Sequence, residues 1–138
     1  PVPFFEFFVD AIYFGFDLQN LHLRIDAQNS WKLAKPMELL ITFLGAEEKK
    51  LAVRLPIGGL KTVAHWKNGS DTALDTLSLQ KVLEISVPLV ELGWMPKQKV
   101  KFGVEVIQGD AQTERHPDSG FIELEVPDAS YESATWKV

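Results

Sequence analysis

The chain has no cysteine among its 138 residues, which excludes disulfides, thiolate zinc sites and cysteine nucleophiles. It has no apolar run close to the roughly 18 residues that a membrane-crossing helix needs. Its start lacks a basic segment, and Glu6 and Asp10 interrupt the apolar stretch there, so no signal peptide is expected. Internal repeats and low-complexity tracts are missing too, and the Glu47-Glu48 pair is followed at once by Lys49-Lys50. Positive charge is short: 14 basic against 19 acidic residues give a net charge of −5, which speaks against nucleic acid and against an anionic membrane surface as partners.

What is present is a globular balance, with 46% hydrophobic and 24% charged residues. The length fits one domain, so residues 1–138 are expected to form a single unit with a real core. The chain opens on Pro1 rather than Met, which reads as a module of a longer chain. Phe4, Phe5, Phe7, Phe8, Phe14 and Phe16 crowd this opening.

Alternation with a period of two dominates the pattern. Ile12, Phe14 and Phe16 share one face, with Tyr13, Gly15 and Asp17 on the other. After the polar link Asp17-Leu18-Gln19-Asn20, Leu21, Leu23 and Ile25 alternate with His22, Arg24 and Asp26, so the two runs predict a β-hairpin. Met37 to Leu44 is almost continuously apolar, as expected of a strand covered on both faces. Further runs lie at 51–55, 83–87, 100–106 and 122–126, separated by Gly, Pro and Asn clusters. One helical turn is expected from Pro88 to Gly93, with Pro at its start and Gly at its end. The stretch Asp71 to Gln80 fits neither period. The fold class read from this pattern is all-β, an antiparallel β-sandwich of immunoglobulin-like or jelly-roll-like kind.

Catalytic chemistry is hard to find. His22, His65 and His116 lie far apart without metal-ligand spacing, His22 as an outward surface residue and His116 in an expected turn. No GxSxG elbow is present, and Gly58-Gly59 lacks the Lys-Ser/Thr of a phosphate loop. The acids Glu123 and Glu125 on one strand face read as solvating residues, since spacing on one strand cannot flank a glycosidic bond. Asp10, Asp17, Asp26, Asp71, Asp75 and Asp110 sit near strand ends or turns. Turns favour Asp without a metal, but a structural calcium stays open as an alternative. Otherwise no cofactor is expected, and the chain is not read as an enzyme. Asn68-Gly69-Ser70 fits a glycosylation sequon and, more simply, a tight turn.

The tryptophans stand out. Trp31 and Trp66 have polar neighbours and lie beside turns, where an exposed indole would offer a flat face for stacking on a sugar ring. The competing reading is that each plugs an end of the core, since Trp is usually buried. Trp31, Trp66, Lys67 and Asn68 are therefore the candidate carbohydrate-binding residues, with Asn29 and Asp71 nearby in sequence. Trp94 is expected to cover the helical turn and Trp136 to pin the last strand.

The stretch from Tyr13 to Asp26, YFGFDLQNLHLRID, resembles a YxGFDxxxLYLRID pattern in C-terminal domains of glycoside hydrolase family 57 proteins. Leu83-Glu84-Ile85-Ser86-Val87-Pro88 with Leu92-Gly93 is similar to that domain's LEIxxPxxxLG segment, and Phe102 to Val106 to its FxVEV strand. Glu114-Arg115-His116-Pro117 with Gly120-Phe121-Ile122 resembles ERxPxxGxI, Val126-Pro127-Asp128 the later VPD, and Trp136-Lys137-Val138 the closing Trp-x-Val. His22 stands where tyrosine is more usual and His116 where tryptophan is common. The resemblance implies a DOMON-like sandwich, similar to family-9 carbohydrate-binding modules and the glucodextranase C-terminal domain, with the catalytic carboxylates on a separate upstream barrel.

The function expected from these readings is a non-catalytic accessory module of an α-glucan-acting glycoside hydrolase. Its partners would be an α-glucan or other oligosaccharide and the upstream catalytic domain of the same chain. The alternative is a purely structural interaction domain, in which exposed N-terminal phenylalanines mediate docking or dimerisation.

Overall fold

A computed structural model describes residues 8–29, 31, 35–55, 61–67, 73–128 and the backbone of the strand at 135–137. Strand β1 (Val9–Phe16) and β2 (Asn20–Ala27) form the expected hairpin, closed by the Asp17–Asn20 link. Then follow β3 (Met37–Leu44), β4 (Glu48–Arg54), β5 (Val63–Trp66) and β6 (Ala73–Leu74). The chain returns through β7 (Leu77–Leu79) and β8 (Leu83–Pro88), makes one helical turn, α1 (Leu89–Leu92), and continues into β9 (Lys99–Gln108), β10 (Ala111–His116), β11 (Ile122–Glu125) and β12 (Thr135–Lys137).

These strands form two antiparallel sheets. One has five strands in the order β12-β1-β2-β8-β7; the other has seven, ordered β10-β9-β3-β4-β5-β6, with β11 also paired to β9. The long β9 makes this branching by offering its first half to β11 and its second half to β10 along one edge, while β3 occupies the other. The all-β reading of the sequence therefore holds, and the single helical turn falls where Pro88 and Gly93 bracket it. Gly93 adopts φ +69°, the left-handed cap conformation that glycine enters without a Cβ clash, and its N–H returns to Val90 O.

Alternation creates the core. Leu21, Leu23 and Ile25 of β2, Leu39, Ile41 and Phe43 of β3, and Val100, Phe102, Val104 and Val106 of β9 are all buried. Each such aliphatic side chain contributes about 1.5–3 kcal/mol by leaving water. Phe43 is the aromatic hub, with ring centroids 6.0 Å from Trp66, 5.9 Å from Trp94 and 6.5 Å from Phe102. On the outer side of β9, Phe121 lies across Gly103, where a Cβ would come within 3.1 Å of its ring. Glycine at this mid-strand position is thus a close-packing requirement.

One expectation about elements needs correction. His116 ends strand β10 rather than occupying a turn. Trp66 ends strand β5 directly before the turn residue Lys67, beside a turn as expected. The ambiguous stretch from Asp71 contributes the short strands β6 and β7, residues 71 and 72 lying outside the described residues. Among the described residues no helix is long and apolar enough to cross a membrane.

Candidate functional site

The outer face of the five-stranded sheet carries two polar rows fixed by strand register. Gly15 of β1 stands opposite His22 of β2, which stands opposite Ser86 of β8. One step along, Tyr13 pairs with Arg24 and Arg24 with Glu84. Because side chains alternate, these residues point away from the core while Leu23 and Ile85 between them point into it. Together they line a groove of about 390 Å³.

A hydrogen-bond chain runs from Asp17 of the hairpin link to the groove residues His22 and Ser86. Asp17 Oδ2 lies 2.6 Å from His22 Nε2, and His22 Nδ1 lies 2.8 Å from Ser86 Oγ. Asp17 also closes the hairpin: its Oδ1 accepts the N–H groups of Gln19 and Asn20, both at 2.7 Å. Partial burial acts to raise the Asp17 pKa, but the bonds from His22, Gln19 and Asn20 outweigh it and hold the carboxyl at about 2, against an ordinary 3.8. Asp17 is therefore an acceptor at neutral pH. A neutral His22 then carries its proton on Nε2 and presents the Nδ1 lone pair to the Ser86 hydroxyl, which donates.

Arg24 is placed by a two-point contact, Nε to Asp26 Oδ1 at 2.8 Å and Nη2 to Asp26 Oδ2 at 3.0 Å, and this pairing raises its pKa. Its guanidinium also lies 4.9 Å from the Tyr13 ring centroid. The groove thus combines a carboxylate, an imidazole, a hydroxyl and a guanidinium on rigid strands. Such groups can bond the hydroxyls of a polar ligand.

A larger groove, about 600 Å³, lies elsewhere, between Phe14 and Phe16 of β1 and the segment from Glu123 to Asp128. Its charged groups Lys97 and Asp128 face each other at 3.6 Å. The smaller groove is the one that carries the hydrogen-bonded polar rows.

The residues singled out from sequence lie differently. Trp31 is 9% exposed, meets Phe8 edge-on at 5.3 Å and donates from its indole N–H to Lys81 O at 3.2 Å. Trp66 is 5% exposed and packs on Phe43. Of the two readings open for these indoles, exposed stacking platform or core plug, the structure shows the plug. Both indoles belong to the same hydrophobic core, Trp31 against Phe8 and Trp66 against Phe43. Lys67 is half-exposed, with Nζ 3.8 Å from Glu38. Asn68 and Asp71 lie outside the described residues, as do Phe4, Phe5 and Phe7. Trp94 is buried against Phe43, and β12 pairs Trp136 with Phe14 along the β1 edge.

A second polar cluster escaped the sequence reading. Glu114 has a side chain only 4% exposed; its Oε2 accepts the Phe8 N–H at 2.9 Å and its Oε1 the Val9 N–H at 3.1 Å. His116 Nε2 sits 2.6 Å from Oε1. A register shift between Gln112 and Glu114 turns this acid inward, and another between Val9 and Ala11 occurs where its partners start β1. The cluster fastens one sheet to the other. Among the described residues no group of three or more His, Asp or Glu side chains is arranged to hold a metal ion.

No family model matches the chain, and neither a curated protein nor a solved structure matches it significantly. The protein is all-β, two antiparallel sheets with a polar groove on one outer face.

Proposed function

We propose that the chain is an accessory module of an α-glucan-acting glycoside hydrolase, one that binds carbohydrate weakly and carries none of the glycoside-cleaving residues. The observation that carries this reading is the groove over β1, β2 and β8, where Tyr13, His22, Arg24, Glu84 and Ser86 align in two rows on a rigid sheet. Neutral sugars are recognised by such convergent hydroxyl, carboxylate and guanidinium groups on a preformed surface. The sequence resemblance to family 57 C-terminal domains supplies the glycan class. The binding site moves accordingly from Trp31 and Trp66 to this sheet face.

Titration calorimetry against a panel of malto-oligosaccharides tests the reading. Binding weakened at least ~5-fold by both Arg24→Ala and Glu84→Ala supports it, about 1 kcal/mol being the usual worth of one hydrogen bond. Binding that persists unchanged in both variants removes the groove as the site, and absence of heat with every glycan removes sugar binding.

The structural-domain alternative draws on a different observation. Leu18, Val90 and Met95 are exposed large apolar residues, and the Leu18 turn is tied to α1 through Leu89 N–H and Gln19 O at 2.9 Å. Glycan-independent association with a catalytic domain, lost on Leu18→Ser/Val90→Ser, would favour that role.

A further inference from the structure

We propose that Ser86 is a base-activated nucleophile that accepts acyl groups from activated carboxylic esters entering the groove on β1, β2 and β8. This goes beyond sugar binding and does not depend on it. A serine hydroxyl is a weak nucleophile unless a neighbouring base takes its proton, and the base works best when a third group orients it. All three parts are on one sheet face: Ser86 Oγ 2.8 Å from His22 Nδ1, and His22 Nε2 2.6 Å from Asp17 Oδ2.

The parts are also held in place. Asp17 is fixed by the hairpin N–H groups it caps, so the imidazole has a stationary anchor. Ser86 is pinned by its ladder pairing to His22, by donation of its own N–H to Thr76 O at 2.8 Å and by the Thr76 hydroxyl on its carbonyl. Asp17 remains anionic, so it fixes the His22 proton on Nε2 and stabilises the imidazolium that forms when Nδ1 takes a second one. Ser86 and His22 are partly exposed and line the groove, which a small ester can reach.

In the reaction, Ser86 Oγ bonds to the ester carbonyl carbon as its proton passes to His22 Nδ1. The ester C–O bond then breaks, and the departing oxygen takes that proton and leaves as an alcohol or phenol. Water adds to the acyl-serine with His22 again accepting a proton, the Oγ–C bond breaks, and a carboxylic acid leaves with Ser86 restored. The Ser86 N–H is committed to Thr76 O, so it does not supply the backbone donor that usually stabilises the tetrahedral oxyanion. Acyl donors with good leaving groups are therefore the substrate class, and acylation outruns turnover.

The experiment treats the full chain with p-nitrophenyl acetate and maps acetyl adducts by peptide mass spectrometry over time. Ser78, exposed on neighbouring β7 and opposite Glu84, serves as an internal reference in the same sample. General-base activation predicts that Ser86 is acetylated at least ~100-fold faster than Ser78, and that His22→Ala removes this advantage. His22→Gln, whose amide spans the same partners without a basic nitrogen, does the same if the alanine variant is unstable. Equal acetylation of Ser86 and Ser78, or a Ser86 rate unchanged in the His22 variants, overturns the proposal. Both results leave glycan binding by Arg24 and Glu84 untouched.

Discussion

His22 Nε2 and Asp17 Oδ2 stand 2.6 Å apart, joining the turn of the first hairpin to the start of its second strand. This contact, with the Gln19 and Asn20 N–H bonds, sets the Asp17 carboxyl at about 2 instead of 3.8. A carboxyl depressed on folding favours the folded state fully above its unfolded pKa and loses that contribution as pH falls through the folded value. The window here lies between about pH 4 and about pH 2. Carbon-detected NMR titration should place the Asp17 midpoint near 2 and show it rising toward 3.8 in His22→Ala. A wild-type midpoint at the ordinary value would contradict the hydrogen-bond account.

Removing Glu114 should loosen the start of β1. Its two oxygens satisfy the Phe8 and Val9 N–H groups, which water reaches poorly at this buried junction. An orphaned buried donor costs about 1–3 kcal/mol, so Glu114→Ala should lower unfolding stability by about 2–4 kcal/mol. Glu114→Gln keeps an acceptor and should lose less. Hydrogen exchange offers the local check: the Phe8 and Val9 amides should exchange faster in the alanine variant than amides in β3.

Much of this architecture is visible in the sequence because burial of one sheet face imposes alternation. The hairpin of β1 and β2 and the strands β8 and β9 show it plainly, since Leu21, Leu23 and Ile25 or Val100, Phe102 and Val104 fall two apart. Strand β10, Ala-Gln-Thr-Glu-Arg-His, carries no large apolar residue. It is an edge strand held by backbone bonds to β9, and its one buried side chain is a glutamate, so no hydrophobic period could betray it. The groove was hidden for another reason. Asp17 and His22 meet within the first hairpin, but Ser86 joins them only through the pairing of β2 with β8, strands that the chain separates by an excursion through the other sheet. Trp31 and Trp66 left two readings open in the sequence: polar neighbours allowed exposure and the usual burial of Trp favoured a plug, and packing across the sandwich decides for the plug.

Those two indoles should report on stability. Trp66 packs against Phe43 from the end of β5, and Trp31 against Phe8. Deleting a buried indole removes both its apolar burial and its packing, at about 3–5 kcal/mol. Trp66→Ala should therefore lower the denaturation midpoint sharply. Trp31→Ala should lower it too, with an added loss because Lys81 O forfeits its donor. Loss of glycan retention in either variant while the denaturation midpoint stays unchanged would instead restore the exposed-platform reading.

Gly45 and Trp94 provide the sharpest packing test. A Cβ built on Gly45 would lie 2.7 Å from Trp94 Nε1 and 2.9 Å from its Cδ1, inside any real contact distance. The indole cannot swing outward freely, because it is 4% exposed and meets Phe43 at a centroid distance of 5.9 Å. Gly45→Ala should thus force a shift of the ring or the β3–β4 turn, with a loss of about 1–3 kcal/mol, the range for overpacked sites. The tryptophan near-ultraviolet circular dichroism should change with it. Trp94→Phe is destabilising alone, yet its smaller ring frees the space the new methyl needs. The double variant should therefore be more stable than the sum of the two single losses by about 0.5–3 kcal/mol, the coupling expected of residues in direct contact. Strict additivity in that cycle would mean that the methyl and the indole never compete for the same volume.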